Sequence, residues 1–226
     1  MAYIFLGLIT LGVVFGPSLW ARSVLKWFGE DRPYIPGTGG ELARHLLDEN
    51  GLHAVAVEAT DQGDHYDPTD KAVRLGRENL NGRSLTAVAT AAHEVGHALQ
   101  DRDGYGPLQR RTWLVKSTFI FQRIGSIVIF GAPIVGALTY SPGLFLLEIG
   151  AGILTMAISV VVHLATLPVE FDASFDRALP ILDRGGYLPP EDLPAARRIL
   201  RACALTYVAS SLASLLNLWH WIRVLR

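Results

Sequence analysis

The apolar positions of this chain are concentrated in four windows that contain no charged residue. No Asp, Glu, Lys or Arg occurs in residues 1–21, 124–147, 149–169 or 202–222. An α-helix needs roughly 20 apolar residues to cross about 30 Å of hydrocarbon, and each window can supply them. The turn sequence 141–143, Ser-Pro-Gly, lies between the middle two windows and indicates a helical hairpin. The pattern therefore predicts about four membrane-spanning helices.

The two terminal windows allow more than one interpretation. The last one carries polar side chains that would have to face other helices in lipid, namely Thr206, Tyr207, Ser210, Ser211, Ser214 and Asn217. It is therefore either a fourth span or an amphipathic helix docked on the membrane. The first window has a long apolar run and no basic residue before it, so we expect a retained anchor rather than a cleaved signal peptide.

Basic residues flank these windows asymmetrically. Those that follow the first and third windows, or precede the second and fourth, fall on one predicted side of the membrane. The hairpin turn on the other side has none, and only Arg223 and Arg226 count against the pattern. Because basic loops are retained in the cytoplasm, the basic side is predicted to be cytoplasmic.

The segments between the windows predict a small water-exposed domain. Residues 40–50 have helical periodicity, 54–58 and 71–75 are strand candidates around a polar, turn-rich stretch, and Ser84 is an N-cap for a long helix. The expected fold class is a mainly α, about four-span membrane protein with a small α+β cytosolic domain. The predicted organisation is an anchor (1–28), a cytosolic catalytic domain (29–110), a transmembrane hairpin (111–168), a cytosolic helix (169–200) and a transmembrane or docked C-terminal helix (201–226).

Composition narrows the function classes. Half of the residues are apolar and 18% are charged, below the roughly 25% of ordinary soluble chains. The net charge of −1 gives no bulk attraction to nucleic acid, so we expect no nucleic-acid partner. The single cysteine, Cys203, excludes an intrachain disulfide framework and a multi-cysteine zinc site.

The predicted long helix carries the sequence His93-Glu94-Val95-Gly96-His97. Histidines at i and i+4 project from the same helical face, so both imidazoles can reach one tetrahedral metal ion. Glu94 lies about 100° round the helix from His93, where it can act as a general base. The alternative, a chance match on an ordinary amphipathic helix, would place a histidine pair and a glutamate in an apolar helix without partners, which is costly.

A catalytic zinc usually has three protein ligands, so a third is needed. A two-span hairpin would return the chain to the same side of the membrane, where the first acidic residue is Glu170. On the residues alone, Glu170 is either that third ligand or a helix-N-terminal acid stabilised by the helix dipole.

Several segments together resemble a known family. They are Gly40–Arg44, Asp64–Pro68, Asn81–Ser84, Ala91–Gln100, Pro107–Arg110 and Pro168–Ser174. This set resembles the bacterial membrane-bound neutral zinc metallopeptidases, the YugP-like family, of the HExxH gluzincin type. The resemblance covers most of 39–178 and implies a zincin-like domain with one Zn²⁺ per chain. It also implies His93, His97 and Glu170 as ligands and Glu94 as catalytic base.

The supporting residues of the site are less clearly indicated. The chain is more distantly similar to membrane zinc proteases of the heat-shock and CaaX-processing type, which have Asp four residues after the ligand glutamate. Here that position is Ser174, so either Asp172 or Asp176 replaces it or the site has no such partner, and Asp172 is preferred. His65 and Tyr66 are candidate hydrogen-bond donors to the oxyanion, although a polar turn in which Asp64 and Asp67 make local backbone bonds is the preferred explanation.

The predicted function is membrane-bound, zinc-dependent peptide hydrolysis at the bacterial inner membrane, with the active site facing the cytoplasm. The expected partners are a peptide or protein substrate, the lipid bilayer and a membrane partner or second copy. The strand 54–58 or 71–75 could offer an edge to an extended peptide. A non-catalytic membrane scaffold with a structural zinc site is the alternative, in which Glu94 is dispensable. A metal transporter ranks last, because His163 and Glu148 supply too few ligands within the spans.

Overall fold

The computed structural model describes residues 2–114, 165–206 and the isolated helical positions 143, 150 and 162. Its elements, in chain order, are α1 (Ala2–Trp27), α2 (Gly39–Glu49), β1 (Ala56–Thr60), β2 (His65–Asp67), β3 (Ala72–Gly76), α3 (Arg77–Asn81), α4 (Leu85–Arg102), α5 (106–114), α6 (165–171), a π-helix (Asp172–Ala178), α7 (Leu179–Arg184), a 3₁₀ turn (Pro190–Asp192) and α8 (193–206). The described part is therefore mainly helical with one small sheet.

Two helices begin where the sequence predicts. Thr38 caps α2 in a capping box, because its hydroxyl accepts from the Glu41 N–H while the Glu41 carboxylate accepts from the Thr38 N–H. The Ser84 hydroxyl accepts from the Ala87 N–H at 3.0 Å and starts α4. Both caps satisfy amide groups that the first turn of a helix leaves without a partner.

The sheet has three strands in the order β1-β3-β2. β1 runs parallel to β3, with Val57 opposite Val73, and β2 runs antiparallel to β3, with Tyr66 opposite the same valine. Both edges of β3 are thus occupied, so the expectation that strand 71–75 could offer an edge to a peptide is wrong. β2 lies in the stretch predicted to be a turn, and its three residues are too few to show an alternating pattern.

Helix α4 is at the centre of the described core. Every residue from Leu85 to Gln100 is buried, which is unusual for a helix of a small domain. Side chains of six other elements pack in the same core cluster, including Ala21 and Val24 of α1, Leu46 and Leu47 of α2, Leu75 of β3, Leu182 of α7, and Ile199 and Leu200 of α8. The functional motif is therefore on the most enclosed helix.

The predicted multi-pass membrane fold is corrected by the structure. Among the residues that the structure describes, no helix is both long and apolar enough to cross a membrane. The last turns of α1 pack against the domain. Ala21 and Val24 are buried in its core, and the Thr86 hydroxyl of α4 donates to the Leu25 carbonyl at 2.8 Å. Most of the two hairpin windows and most of the last window lie outside the described residues.

Candidate metal centre

The two histidines of α4 converge on a carboxylate from the far end of the chain. His93 and His97 are buried, and the centroids of their rings lie 4.7 Å apart in an edge-to-face arrangement. The Nε2 atom of each lies 3.3 Å from Glu170 Oε2. His93, His97 and Glu170 thus form a cluster that could hold a metal ion.

A close approach of two backbones brings Glu170 to α4. Glu170 is in α6, just before the π-helix, and the π-helix packs directly over Gly96. A Cβ atom at Gly96 would lie 2.7 Å from the Ala173 carbonyl oxygen, shorter than any normal contact. The glycine in the HExxH sequence therefore allows the helix that carries the third carboxylate to reach the histidines.

The donor set fits a tetrahedral metal ion. Zinc bonds of about 2.0–2.1 Å place neighbouring ligand atoms roughly 3.4 Å apart in a tetrahedron, close to the 3.3 Å between each Nε2 and Glu170 Oε2. Glu170 is completely buried, and within the described part of the chain neither of its carboxylate oxygens makes a hydrogen bond. A buried carboxylate without such bonds is costly unless a cation compensates it.

The remaining nitrogen of each imidazole has its own partner. His93 Nδ1 lies 3.0 Å from Ser174 Oγ, and that hydroxyl donates to the Leu200 carbonyl at 3.2 Å. Since the serine proton points to Leu200, Ser174 accepts from His93. His97 Nδ1 lies 2.9 Å from Gln100 Oε1, which can only accept. Both histidines therefore carry their proton on Nδ1 and direct the Nε2 lone pair at Glu170 Oε2.

Arg111 of α5 completes the surroundings of the carboxylate. Its Nη1 lies 3.1 Å from Glu170 Oε1, the oxygen that does not face the histidines. Burial raises the pKa of the Glu170 carboxyl, but the positive charges of His97 and His93, when these are protonated, outweigh burial and hold the pKa well below its usual range. A metal cation in place of the imidazole protons would favour the ionised carboxylate in the same direction.

Glu94 lies in the same cavity as the histidines. This cavity of about 160 Å³ is lined by His93, Glu94 and His97 together with Asp64, Thr90 and Cys203. Burial raises the pKa of Glu94 to about 7, and the charges of Glu170 and Asp64 add to the rise while His93 opposes it. A carboxyl that titrates near neutral pH can both take up and release a proton.

The structure adds Asp64, which the sequence interpretation did not select. Its carboxylate accepts from the Gly76 N–H at 2.7 Å and from Asn79 Nδ2 at 2.8 Å, so it fixes the start of β2 beside the cavity. The signal was present in the sequence, since Asp64 opens one of the segments that carry the family resemblance.

Neither predicted oxyanion donor lies in this cavity lining. His65 Nδ1 lies 2.8 Å from the Gly63 carbonyl, within its own turn. The Tyr66 hydroxyl donates to Asp101 at 2.7 Å, and Lys71 pairs with the same carboxylate. Burial and the Asp101 hydrogen bond raise the pKa of Tyr66 above its usual range. The oxyanion role of both residues stays a prediction.

The three candidate supporting residues occupy different places. Ser174, the apparent departure from the distant pattern, contacts His93 directly. Asp172 reaches His97 only through Gln100, whose Nε2 donates to Asp172 Oδ1 at 2.6 Å. Asp176 lines a separate surface pocket with Arg177 and does not line the cavity of the histidines. Gln100 was not predicted, although a polar residue in a fully buried helix is itself a signal.

Of the other residues singled out from the sequence, Cys203 lines the cavity of the histidines as a packing residue. Burial raises the pKa of the Cys203 thiol to about 12, and its Sγ lies 4.0 Å from Thr90 Oγ1, as in an unreactive packed cysteine. His163 and Glu148, considered for a transporter, lie outside the described residues.

Comparison with known proteins agrees with this donor set. A family model described as "putative neutral zinc metallopeptidase" matches residues 3–226. The chain is 36% identical to the "putative membrane protease YugP" of Bacillus subtilis (strain 168) over 227 residues, which cover 99% of this chain and 96% of the relative. No solved structure is similar enough to count as a match. The chain therefore belongs to the family that this model describes as putative neutral zinc metallopeptidases.

Proposed function

We propose that this chain is a zinc-dependent metallopeptidase that hydrolyses peptide bonds, with His93, His97 and Glu170 as ligands of one zinc ion. The observation that carries the proposal is the convergence of two imidazole Nε2 atoms on Glu170 Oε2 at 3.3 Å, with Glu94 in the same cavity. Two neutral imidazoles and one carboxylate are the donor set of a catalytic zinc with one remaining position.

The two oxygens of Glu170 have different tasks in this proposal. Oε2 faces the histidines, whereas Arg111 lies against Oε1. The carboxylate would therefore bind through one oxygen only, which leaves room for water or substrate at the ion. A zinc ion held there would supply Lewis acidity that activates water and polarises the peptide carbonyl.

Glu94 acts as the general base. It follows His93 by one residue and so lies about 100° further round the helix. Glu94 therefore borders the metal position but is not directed at the ion as the two histidines are. Its carboxylate takes the proton from the attacking water and then passes it to the leaving amine of the cleaved peptide bond. Burial of Glu94 favours this exchange, because the surroundings stabilise the protonated form that exists between the two steps.

An extended peptide could bind along β2. Of the two strands at the edges of the sheet, β2 is the one that packs on α4, and it begins next to Asp64 in the cavity lining. Addition of a substrate strand at such an edge uses main-chain hydrogen bonds and therefore requires little sequence specificity. The relative named a membrane protease supports association of this chain with a membrane, where substrates or partner proteins would be met. The side of the membrane that the site faces stays a prediction.

The test compares wild type with Glu94→Gln, both freshly purified, for zinc content and for cleavage of casein. About one zinc per chain in both proteins, with cleavage by wild type only, is the expected result. The loss in cleavage should exceed about 100-fold, the usual contribution of a general base. Zinc in both proteins without cleavage by either would favour the scaffold, equal cleavage by both would overturn the role of Glu94 as base, and absence of zinc from both would overturn the proposal.

A further inference from the structure

Gln100 connects the two parts of the chain that meet at the metal centre. It follows His97 by three residues on α4, and its side chain is completely buried. Its amide Nε2 donates to the Val169 carbonyl at 2.7 Å and to Asp172 Oδ1 at 2.6 Å. Val169 immediately precedes Glu170, so one amide group contacts both ligand-bearing helices.

The orientation of this amide is determined by its neighbours. Nε2 faces two acceptors, the Val169 carbonyl and the Asp172 carboxylate, neither of which could donate to an amide oxygen. A flipped amide would place oxygen against both of them. Oε1 must therefore point to His97, where it lies 2.9 Å from Nδ1.

This orientation fixes the protonation of the ligand. Because Oε1 can only accept, His97 Nδ1 must donate, and the lone pair of His97 is left on Nε2, which faces Glu170. A histidine without this partner could rotate or carry its proton on Nε2, and neither form can bind a metal there.

We propose that Gln100 is a positioning residue of the metal centre, which sets the Nε2 lone pair of His97 and the backbone before Glu170 through one buried amide. The inference rests on the proposed zinc site and extends it to a residue that never contacts the ion. The other histidine has a simpler arrangement, because Ser174 supports His93 without contacting the segment before Glu170.

The far side of the amide is anchored as well. Asp172 also accepts from Arg177 Nε at 2.7 Å, and Arg177 Nη1 pairs with Asp103 at 2.6 Å, just beyond the end of α4. The negative charge of Asp172, which orients Gln100, is thus balanced by Arg177. Gln100 lies between this charge and His97. The histidine receives a neutral acceptor, so its support adds no negative charge beside the ion.

The experiment measures metal binding directly in the full chain. Zn²⁺ affinity is determined by competition with a chelator for wild type, Gln100→Met and Leu99→Met, and the visible spectrum of the Co²⁺-loaded proteins reports ligand geometry. Methionine fills a similar volume without hydrogen bonds, and Leu99 is the buried neighbour on α4 that faces away from the cavity. Gln100→Met should lose about 10- to 100-fold in zinc affinity and change the Co²⁺ spectrum, whereas Leu99→Met should match wild type.

A second variant tests the orientation of the amide. Gln100→Glu keeps the length and an acceptor for His97 but turns a carboxylate oxygen towards the Val169 carbonyl and Asp172, so its zinc affinity should fall at least as far as that of Gln100→Met while its helical content by circular dichroism stays that of wild type. Equal affinity and an equal spectrum for wild type and Gln100→Met would overturn the inference while leaving the zinc site intact. A Gln100→Glu variant with wild-type affinity, or a Leu99→Met variant as weak as Gln100→Met, would also overturn it. Wild type that binds no zinc would instead overturn the proposed function, and the inference with it.

Discussion

Two clusters of charged and polar side chains can be compared in this molecule. The metal-centre cluster joins His93, His97 and Glu170, all of them buried. The sheet cluster surrounds Arg74 on β3, which donates to the carboxylates of Asp67 and Asp70 and to that of Glu58 on β1, and whose own side chain is 23% exposed. In the first cluster the carboxylate oxygens make no hydrogen bond among the described residues, whereas in the second each acid has a matched donor.

The difference distinguishes a site from a structural contact. Ion pairs at a water-exposed surface contribute little to stability and need no further partner. Arg111 lies against one oxygen of Glu170, but the other oxygen faces two imidazole lone pairs, which is unfavourable for the fold alone. A cation between this oxygen and the two nitrogens would remove the cost. Burial combined with unsatisfied hydrogen-bond acceptors, rather than the number of charges, therefore identifies the metal centre.

The largest expected effect is the loss of the zinc response in Glu170→Gln. If the metal-centre cluster exists to hold a cation, zinc at 100 times its dissociation constant should stabilise wild type by about 2.7 kcal/mol. For a chain of this length that corresponds to a rise in Tm of roughly 5–10 °C. Glu170→Gln removes the anionic ligand and should show no such rise in a thermal melt with and without zinc.

The matched control for this variant is Glu94→Gln, the same chemical change at the neighbouring buried glutamate. Since Glu94 is not proposed as a ligand, its variant should keep most of the zinc-dependent rise in Tm. A full rise in Glu170→Gln, or an equal loss in both variants, would contradict the distinction between ligand and base.

A smaller but clear effect is expected from Gly96→Ala. The added methyl group would meet the Ala173 carbonyl oxygen at 2.7 Å, so α4 and the π-helix must separate. Crowding of this kind costs about 1–3 kcal/mol, which denaturant unfolding can measure. Zinc affinity should fall too, because the same shift moves Glu170 away from the histidines.

The control for the glycine substitution is Gly12→Ala in α1, where no described atom outside the helix lies within 4 Å of an added Cβ and the next residue is not proline. There alanine should leave stability unchanged or raise it by up to about 1 kcal/mol, since alanine is the better helix former. Equal effects of the two substitutions would show that the contact between Gly96 and Ala173 is unimportant.

The same comparison shows what a sequence can reveal. His93 and His97 were predictable because their spacing alone determines that they share a helical face. Glu170 followed from the resemblance, since on the residues alone it had an equally good explanation. Ser174 was a candidate supporting residue because the distant resemblance places such a residue four positions after Glu170. Its contact with His93 could not be predicted from periodicity, because it depends on a π-helix that begins two residues after Glu170.

The fold was predictable to a similar degree. α2, β1, β3 and α4 each lie within two residues of their predicted positions, because capping residues and apolar runs mark them locally. The multi-pass prediction was wrong since it took the absence of charge in a window as sufficient evidence for a span. In α1, Ala21 belongs to such a window but is buried in the core of the domain, and a sequence cannot show which apolar surface will cover a residue.

The smallest expected effect concerns the sheet cluster and its pH dependence. Burial would raise the pKa of Asp67, but the N–H groups of Thr69 and Asp70 and the Arg74 guanidinium outweigh it, so the pKa lies below its ordinary value of 3.8. The ionised carboxylate therefore stabilises the fold fully above pH 3.8, and this contribution is lost as the pH falls through the lowered pKa. Asp67→Asn should reduce the free energy of unfolding at pH 7 by less than about 1 kcal/mol, because the pair is near the surface.

Urea unfolding of wild type and Asp67→Asn at pH 7 and below pH 3 measures this contribution. The difference between the two proteins should shrink at low pH, where the wild-type carboxyl also becomes neutral. Asp61→Asn is the control. The Asp61 side chain is 89% exposed, and its ion pair with Arg77 is long at 3.9 Å, so no difference from wild type is expected at either pH. A loss in Asp67→Asn as large as that in Gly96→Ala, or one that persists at low pH, would mean that the sheet cluster matters to the fold as much as the contacts around the metal centre. The two clusters would then differ in whether they can bind a metal ion, and burial would not separate their contributions to stability.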